Sequence, residues 1–221
     1  MKEIKISNFE EFHKYVNNSS SHLYIFRGVT DSSYELLPSI ARRKKNPDLV
    51  KTERDLMWLF KSYGFPHIEH IPQNDWEWLS LAQHYRLPTR LLDWTKNPLV
   101  ALYFAVEDKV SSDGAVYVKK LPHYIPPDEQ QSVSPFSLKK VRALIPSHLS
   151  KRISAQDGIF TIHPSPIIPY DDDGIDKLII DKNRKKELTK ILDQYGINKM
   201  KLFPDLEGLS SYLRWKKGYD G

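Results

Sequence analysis

Three polar residues that could do chemistry, His84, Arg90 and Asp93, lie within one short stretch of the sequence. An imidazole, a guanidinium and a carboxylate at this spacing can hold an anionic or hydroxyl-bearing ligand. If they are buried together, they can instead satisfy one another and stabilise the core without contacting a substrate. The spacing alone leaves both interpretations open.

A further arginine follows a short run of strand-forming residues. Residues 23–26 read Leu-Tyr-Ile-Phe, which predicts a buried strand, and Arg27 and Gly28 follow directly. A guanidinium at the end of a strand offers planar, bidentate donation to phosphate or carboxylate. Arg27 is therefore either a ligand-binding residue or a structural partner of Asp31 or Asp93.

Several motifs that define common enzyme classes are absent. The chain has no cysteine, which excludes disulfide frameworks, thiolate zinc sites, iron–sulfur clusters and cysteine nucleophiles. It has no GxGxxG, P-loop or GxSxG motif, which argues against Rossmann dehydrogenases, NTPases and α/β-hydrolases. His67 and His70 have a spacing that metals use, but no further ligand pattern accompanies them, so we predict no metal site.

The composition is that of an ordinary globular protein. The 221 residues are 40% hydrophobic and 28% charged, and the formal net charge of +5 slightly favours polyanionic partners. No run approaches the roughly 20 apolar residues of a membrane span. The N-terminal residues interleave acids with lysines and have no apolar core of a signal peptide. We therefore expect a cytoplasmic protein that has no membrane partner.

Capping signals and periodicity predict the elements that must position these residues. We predict helices from a capping box at Ser7, over residues 51–63, from Asn74, over residues 99–106 with Asn97 as the N-cap, just ahead of Arg152, from Asp181 to Tyr195, and from Asp205. We predict strands at 23–26, 114–118, 158–163 and 178–180, and an irregular excursion over 121–135. No repeat or linker divides the chain, so we predict a single α+β domain over residues 1–221.

The candidate residues belong to longer motifs that resemble a known family. The tripeptide Phe26-Arg27-Gly28, the segment 36–39 and above all residues 81–95 and 97–105 resemble the FRG domain, which is named for that tripeptide. The resemblance extends through residues 156–161 and 202–208, which implies a stand-alone FRG domain. Arg86 departs from the glycine that the family usually has, and only glycine tolerates a positive φ without cost. We therefore expect the turn after this helix to differ.

The order of three candidate residues is also similar to that of ADP-ribosyltransferases of the Arg, Ser/Thr, Glu type. This similarity implies a central, mostly antiparallel split sheet with flanking helices, and NAD as the substrate. Arg27 would bind the dinucleotide, Thr95 would order the nicotinamide ribose, and Gln156 occupies the position of the carboxylate. Because an amide stabilises an oxocarbenium-like transition state less well than a carboxylate, Asp93 and Glu107 are alternatives to Gln156. Asp157 is adjacent to Gln156 but would face the opposite side of a strand.

The resemblance implies a function and a set of residues. The residues that would contact NAD are Arg27, Gly28, His84, Arg90, Asp93, Trp94 and Thr95. We expect an NAD-dependent ADP-ribosyltransferase-like enzyme, acting as a toxin or phage-defence effector on an RNA, DNA or protein acceptor, with an antitoxin or chaperone as a further partner. The alternative is a non-catalytic module that binds a nucleotide or nucleic acid, or docks onto a partner, since Gln156 is not a carboxylate.

Overall fold

Seven strands of one mixed sheet form the centre of the described part of the chain. The computed structural model describes residues 1–18, 24–42, 48–107, 111–146 and 151–219. The strands are β1 (Lys2–Ile6), β2 (Tyr24–Val29), β3 (Leu91–Thr95), β4 (Gly114–Lys120), β5 (Arg142–Leu144), β6 (Gly158–Ile162) and β7 (Ile175–Ile180). The α-helices are α1 (Phe9–Asn18), α2 (Leu49–Gly64), α3 (Asp75–His84), α4 (Pro98–Val106), α5 (Pro127–Ser132), α6 (Lys151–Ala155), α7 (Lys185–Gln194), α8 (Lys199–Leu202) and α9 (Leu206–Lys216).

The sheet is split near its middle. Its strand order is β1-β7-β4-β2-β3-β6-β5, with β1 and β7 parallel and the other neighbours antiparallel. Strand β2 pairs with β4 along its whole length, but it pairs with β3 only at Phe26 and Thr95. The prediction of a mixed α and β protein whose sheet is flanked by helices is confirmed, and the two half-sheets meet at a single residue pair.

Two apolar clusters cover one face of the sheet, one on each half. Strand side chains alternate between faces, so Phe26 and Thr95, which are directly opposed, point to the same face. On one half, α4 packs against residues of β2, β4 and β7, and on the other half α3 packs against β3 and β6. A third cluster, which includes Tyr117 and Trp94, spans the opposite face. The split therefore lies between two separately packed helices.

Side-chain caps begin three of the helices where the sequence predicts them. Asn74, Asn97 and Asp205 accept hydrogen bonds from backbone N–H groups of the first turns of α3, α4 and α9. Each bond joins residues that are two or three positions apart, so tertiary contacts cannot readily override it. These three starts are confirmed, as are a helix within α2 and the strands within β4, β6 and β7.

Two element ends differ from the prediction. Asn8, not Ser7, caps α1, because its Oδ1 accepts from the N–H of Glu11 at 2.9 Å, while Glu11 accepts from the N–H of Ser7. Strand β2 does not end before Arg27 but continues to Val29, since β4 pairs with it over that length. Leu23, the predicted first residue of this strand, lies outside the described residues.

Other elements were missed or displaced. Edge strands β1 and β5 were not predicted, and α5 lies within the stretch 121–135 that was expected to be irregular. Strand β1 pairs with β7 near the far end of the chain, so its position depends on a long-range contact. The helix predicted ahead of Arg152 falls largely on residues 147–150, which lie outside the described part, and α6 is described from Lys151 to Ala155.

The turn after α3 keeps the left-handed backbone that glycine would favour. Arg86 has a φ of 63°, its N–H donates to Gln83, and the N–H of Leu87 donates back to Ala82. These two bonds form a Schellman motif, whose left-handed position is usually glycine. The expectation that an arginine would change this turn is therefore wrong. The same reversal leaves Tyr85 64% exposed.

Candidate functional site

A cavity of about 390 Å³ opens at the split between β2 and β3. Its wall is formed by the two half-sheets, by α4 and by the C-terminal end of α3. The 3₁₀ turn that precedes α2 and the segment that joins α6 to β6 complete the wall. The described lining residues are Phe26, Arg27, Gly28, Ser39, Arg42, Gln83, His84, Arg86, Leu87, Asp93, Trp94, Thr95, Phe104, Arg152, Ile153, Gln156, Gly158 and Phe160. Residues from widely separated parts of the chain thus share one hollow.

Gly28 allows α4 to approach the sheet closely beside this cavity. A Cβ atom at Gly28 would lie 1.9 Å from the carbonyl oxygen of Ala101 and 2.8 Å from the backbone nitrogen of Ala105. Both atoms belong to the backbone of α4, so no side-chain rotation would relieve the contact. The glycine of the tripeptide is therefore required by packing.

Arg27 bridges the gap where the two half-sheets separate. If the pairing of β2 with β3 continued beyond Phe26 and Thr95, Gly28 would lie opposite Asp93. These two residues do not pair. Instead, Nη1 of Arg27 donates to the backbone carbonyl of Asp93 at 2.6 Å. The same nitrogen lies 3.6 Å from Oδ2 of Asp93. Arg27 therefore has a structural partner, as one interpretation held, and also lines the cavity.

Gln83 fixes the carboxylate of Asp93 from the other side. The Gln83 amide donates to Oδ1 of Asp93 at 2.9 Å, and its carbonyl oxygen accepts from the Thr89 hydroxyl at 2.6 Å. The Asp93 side chain is still 55% exposed. Gln83 was not predicted as a site residue, although its position off the apolar face of α3 was the available signal.

Thr95 and Gln156 meet at the far wall of the cavity. The Thr95 hydroxyl donates to the backbone carbonyl of Gln156 at 2.7 Å and accepts from the N–H of Asn97 at 3.0 Å. The Gln156 amide donates to the Leu202 carbonyl at 3.1 Å. Both side chains therefore tie β3 to the turn before β6 and to α8. These bonds give each residue a structural role at the position where it also lines the cavity.

The cavity is strongly basic. Among its described lining residues are four arginines, Arg27, Arg42, Arg86 and Arg152, and one carboxylate, Asp93. Burial lowers the pKa of Arg42 from its ordinary value, with a further contribution from the charge of Arg27. Burial and the charge of Arg86 lower the pKa of Arg152 in the same way. The guanidinium groups are held close to one another, so an anion placed among them would be attracted.

Arg90 does not take the position expected for it. It is absent from the described lining of the cavity, is 1% exposed, and forms an ion pair with Glu53 of α2, which is fully buried. A buried guanidinium requires a buried carboxylate, and Asp93 is too exposed to serve. His84, Arg90 and Asp93 therefore do not form one polar network. The other predicted residues, including His84 and Trp94, do line the cavity.

A buried polar chain lies behind Trp94. The Trp94 indole donates to the Thr161 hydroxyl at 2.9 Å, and that hydroxyl lies 2.8 Å from Nε2 of His163. Burial, with a smaller contribution from the charge of Arg27, lowers the pKa of His163 from 6.5 to about 4. His163 is therefore neutral at neutral pH. The residue supports the cavity wall and is not among its described lining residues.

Asp157 and Glu107 are not positioned as carboxylates of this site. Asp157 has a φ of 48° in the turn before β6 and forms an ion pair with Lys96, so it does not lie within a strand. Glu107 forms an ion pair with Lys199. The described residues contain no cluster of three or more metal-ligating side chains. No helix among them is both long and apolar enough to cross a membrane.

The geometry defines a mixed α and β protein with an arginine-rich cleft at the split of its sheet. Residues 22–114 match the family model of the FRG domain. The match includes Arg27, Gly28, His84, Asp93 and Thr95. It ends before Gln156, so the expected extension to residues 156–161 and 202–208 stays a prediction. No curated protein matches the chain, and no solved structure matches it.

Proposed function

We propose that the protein is an NAD-dependent enzyme of the ADP-ribosyltransferase type. The observation that carries the proposal is the convergence of Arg27, Thr95, Gln156 and Asp93 on one cavity, from three separate stretches of the chain. The cavity volume of about 390 Å³ is within the usual range for small-molecule sites. A nucleotide-sized substrate therefore has both space and polar partners there.

The charge of the cavity suits the diphosphate of NAD. Guanidinium groups bind phosphate oxygens through paired, charge-assisted hydrogen bonds, which a lysine ammonium cannot reproduce. Arg27 lies beside Asp93 and within reach of the same hollow as Arg42 and Arg152. Phe104 and Phe160 add apolar surface to the lining, against which a planar ring can pack.

Asp93 is the carboxylate to which we assign the stabilising role in the reaction. The bond between ribose C1′ and the nicotinamide nitrogen breaks, and its electron pair stays with nicotinamide, which leaves as a neutral molecule. Positive charge grows on the ribose, and a fixed carboxylate stabilises it. An acceptor oxygen or nitrogen then bonds to C1′ and releases its proton to Asp93 or to solvent. The hydrogen bonds from Gln83 and Arg27 hold Asp93 in place beforehand.

Nicotinamide release and transfer of labelled ADP-ribose to a cell extract test the proposal. We expect both signals from the native protein and strong losses in Asp93→Asn and Arg27→Lys. Asp55→Asn is the matched control, because Asp55 is an exposed residue of α2 outside the described lining of the cavity. Absence of NAD binding and of nicotinamide release from the native, folded protein would overturn the proposal.

A non-catalytic binding module is the second candidate, and one observation favours it. The Thr95 hydroxyl and the Gln156 amide are both engaged by the protein itself, as expected for residues that shape a binding site without turnover. A module of this kind would bind NAD or a related nucleotide in calorimetry and release no nicotinamide. If the protein is instead a toxin or defence effector, its overexpression slows growth, and Arg27→Lys relieves the effect.

A further inference from the structure

A second, more open hollow lies beside the cavity at the end of α3, and we call it the shelf. The shelf has a volume of about 440 Å³, and its described lining residues are His84, Tyr85, Arg86, Lys151, Arg152, Pro204 and Asp205. His84, Arg86 and Arg152 also line the cavity. A ligand on the shelf can therefore extend directly into the cavity.

The shelf collects positive charge. The side chains of Arg86, Lys151 and Arg152 lie on it, and the charge of Arg86 lowers the pKa of Arg152. Burial and the charge of Arg152 lower the pKa of His84 in turn. The described lining contains one carboxylate, that of Asp205, which caps α9 by accepting a hydrogen bond from a backbone N–H group. Like charges held this close attract a polyanion, which relieves their mutual repulsion.

An exposed aromatic ring lies on the same surface. Tyr85 is 64% exposed, and its ring meets that of His84 edge to face, with the centroids 5.0 Å apart. The left-handed backbone of Arg86 reverses the chain at this point, so that Tyr85 and Arg86 are presented together. Such a strained position persists where the surrounding structure requires it. A ring beside several cations is the pattern of single-stranded nucleic-acid sites, where bases stack and phosphates pair.

We propose that this shelf binds a segment of single-stranded nucleic acid. Its phosphates contact Arg86, Lys151 and Arg152, and one base stacks on Tyr85. An acidic peptide could use the same cations but would leave the flat ring without a partner. The further assignment of this strand as the acceptor rests on the proposed function, because the shelf leads into the cavity in which NAD would be cleaved. Binding itself requires no NAD.

Fluorescence anisotropy with a labelled single-stranded RNA oligonucleotide, in the absence of NAD, tests the proposal. Tyr85→Ala and Arg86→Gly should each weaken binding by roughly fivefold or more, since base stacking and phosphate contacts both contribute. For Arg86→Gly, the slope of log affinity against log salt should fall by about 0.7, the value for one lost phosphate contact on a single strand. Glycine suits the backbone at position 86, so this variant should fold.

Lys186→Ala is the matched control, because it removes one positive charge from an exposed residue of α7 outside both hollows. Its affinity should stay within about twofold of the native value. Equal losses in Lys186→Ala and Arg86→Gly would overturn the proposal, as would unlabelled poly-glutamate competing as well as RNA. Nicotinamide release without RNA binding would overturn this inference alone. Shelf-dependent RNA binding without nicotinamide release would overturn the proposed function alone.

Discussion

Two arginine–carboxylate pairs in this protein have the same chemical groups and different surroundings. Arg90 and Glu53 are 1% and 0% exposed, and Glu53 accepts from both the side chain and the backbone N–H of Arg90 at 2.7–2.8 Å. Arg27 and Asp93 are 13% and 55% exposed, with their charged groups 3.6 Å apart beside a cavity. The first pair is closed to solvent, while the second is open to a ligand.

The contrast separates stability from function. In a closed pair both charged groups are shielded from water, and removal of one partner leaves a buried charge. An open pair keeps part of its hydrogen-bonding capacity for another molecule, and solvent compensates for the loss of one partner. Glu53 and Arg90 should therefore matter to folding, and Asp93 and Arg27 to binding and turnover. Substitutions at Glu53 and Asp93 test this division, and substitutions at His163 and Arg86 test the surroundings of the open pair.

Replacement of Glu53 by glutamine should have the largest effect on stability. The neutral amide leaves the Arg90 guanidinium without a counter-charge in the core, beside the ring of Phe136. We expect the free energy of unfolding to fall by about 3–5 kcal/mol, measured by urea denaturation. Glu187→Gln, which removes the partner of Arg184 in an exposed pair, should cost under about 1 kcal/mol. Similar losses in the two variants would contradict the division.

Asp93→Asn should separate the two properties most clearly. Because the Asp93 side chain is more than half exposed, we expect the unfolding free energy to change by less than about 1 kcal/mol. We expect nicotinamide release to fall by roughly 100-fold or more, since a fixed charge near the reacting bond is lost. Denaturation and single-turnover measurements on the same preparation check both. Loss of stability with full activity per folded molecule would refute the assignment.

His163 should make the wall behind the open pair sensitive to acid. Its pKa is lowered from 6.5 to about 4 in the folded protein, so between these values the unfolded chain binds a proton that the folded chain does not. Stability should therefore fall as the pH drops through this window. From pH 7.5 to pH 5 the loss attributable to His163 should be about 2 kcal/mol. His163→Gln should abolish that part of the pH dependence in paired denaturation curves.

Arg86→Gly should give the smallest change, and in the opposite direction. Relief of the left-handed arginine at a φ of 63° should raise the unfolding free energy by about 1 kcal/mol. A gain in stability combined with weaker RNA binding would show that the strained arginine lowers stability but contributes to RNA binding at the shelf. An unchanged or lower melting temperature would argue that Arg86 is well accommodated and carries no such cost.

Local signals in the sequence predicted much of the fold. Asn74, Asn97 and Asp205 begin helices as predicted, because each cap bonds to a backbone group only two or three residues away. Strand β1 escaped prediction, since it depends on pairing with β7 across most of the chain. The turn at Arg86 was misjudged because residue preference alone disfavours a conformation that two backbone hydrogen bonds hold in place.

The candidate site was predictable only in part. The resemblance selected Arg27, Asp93 and Thr95, but it also selected Arg90, whose partner Glu53 lies in the distant helix α2. No local pattern could reveal that pairing, since it is set by how α2 packs against the sheet. The role of Gln83 and the shelf beside Tyr85 likewise depend on contacts between elements.

Because a single residue pair, Phe26 and Thr95, joins β2 to β3, a molecule bound across this junction would affect both half-sheets. A substrate bound by Arg27 on one side and by Asp93 on the other would add a cross-link between two half-sheets that the apolar cluster on the opposite face already joins. Occupancy should then slow amide exchange on both sides of this junction at once, including in strands that the substrate never touches.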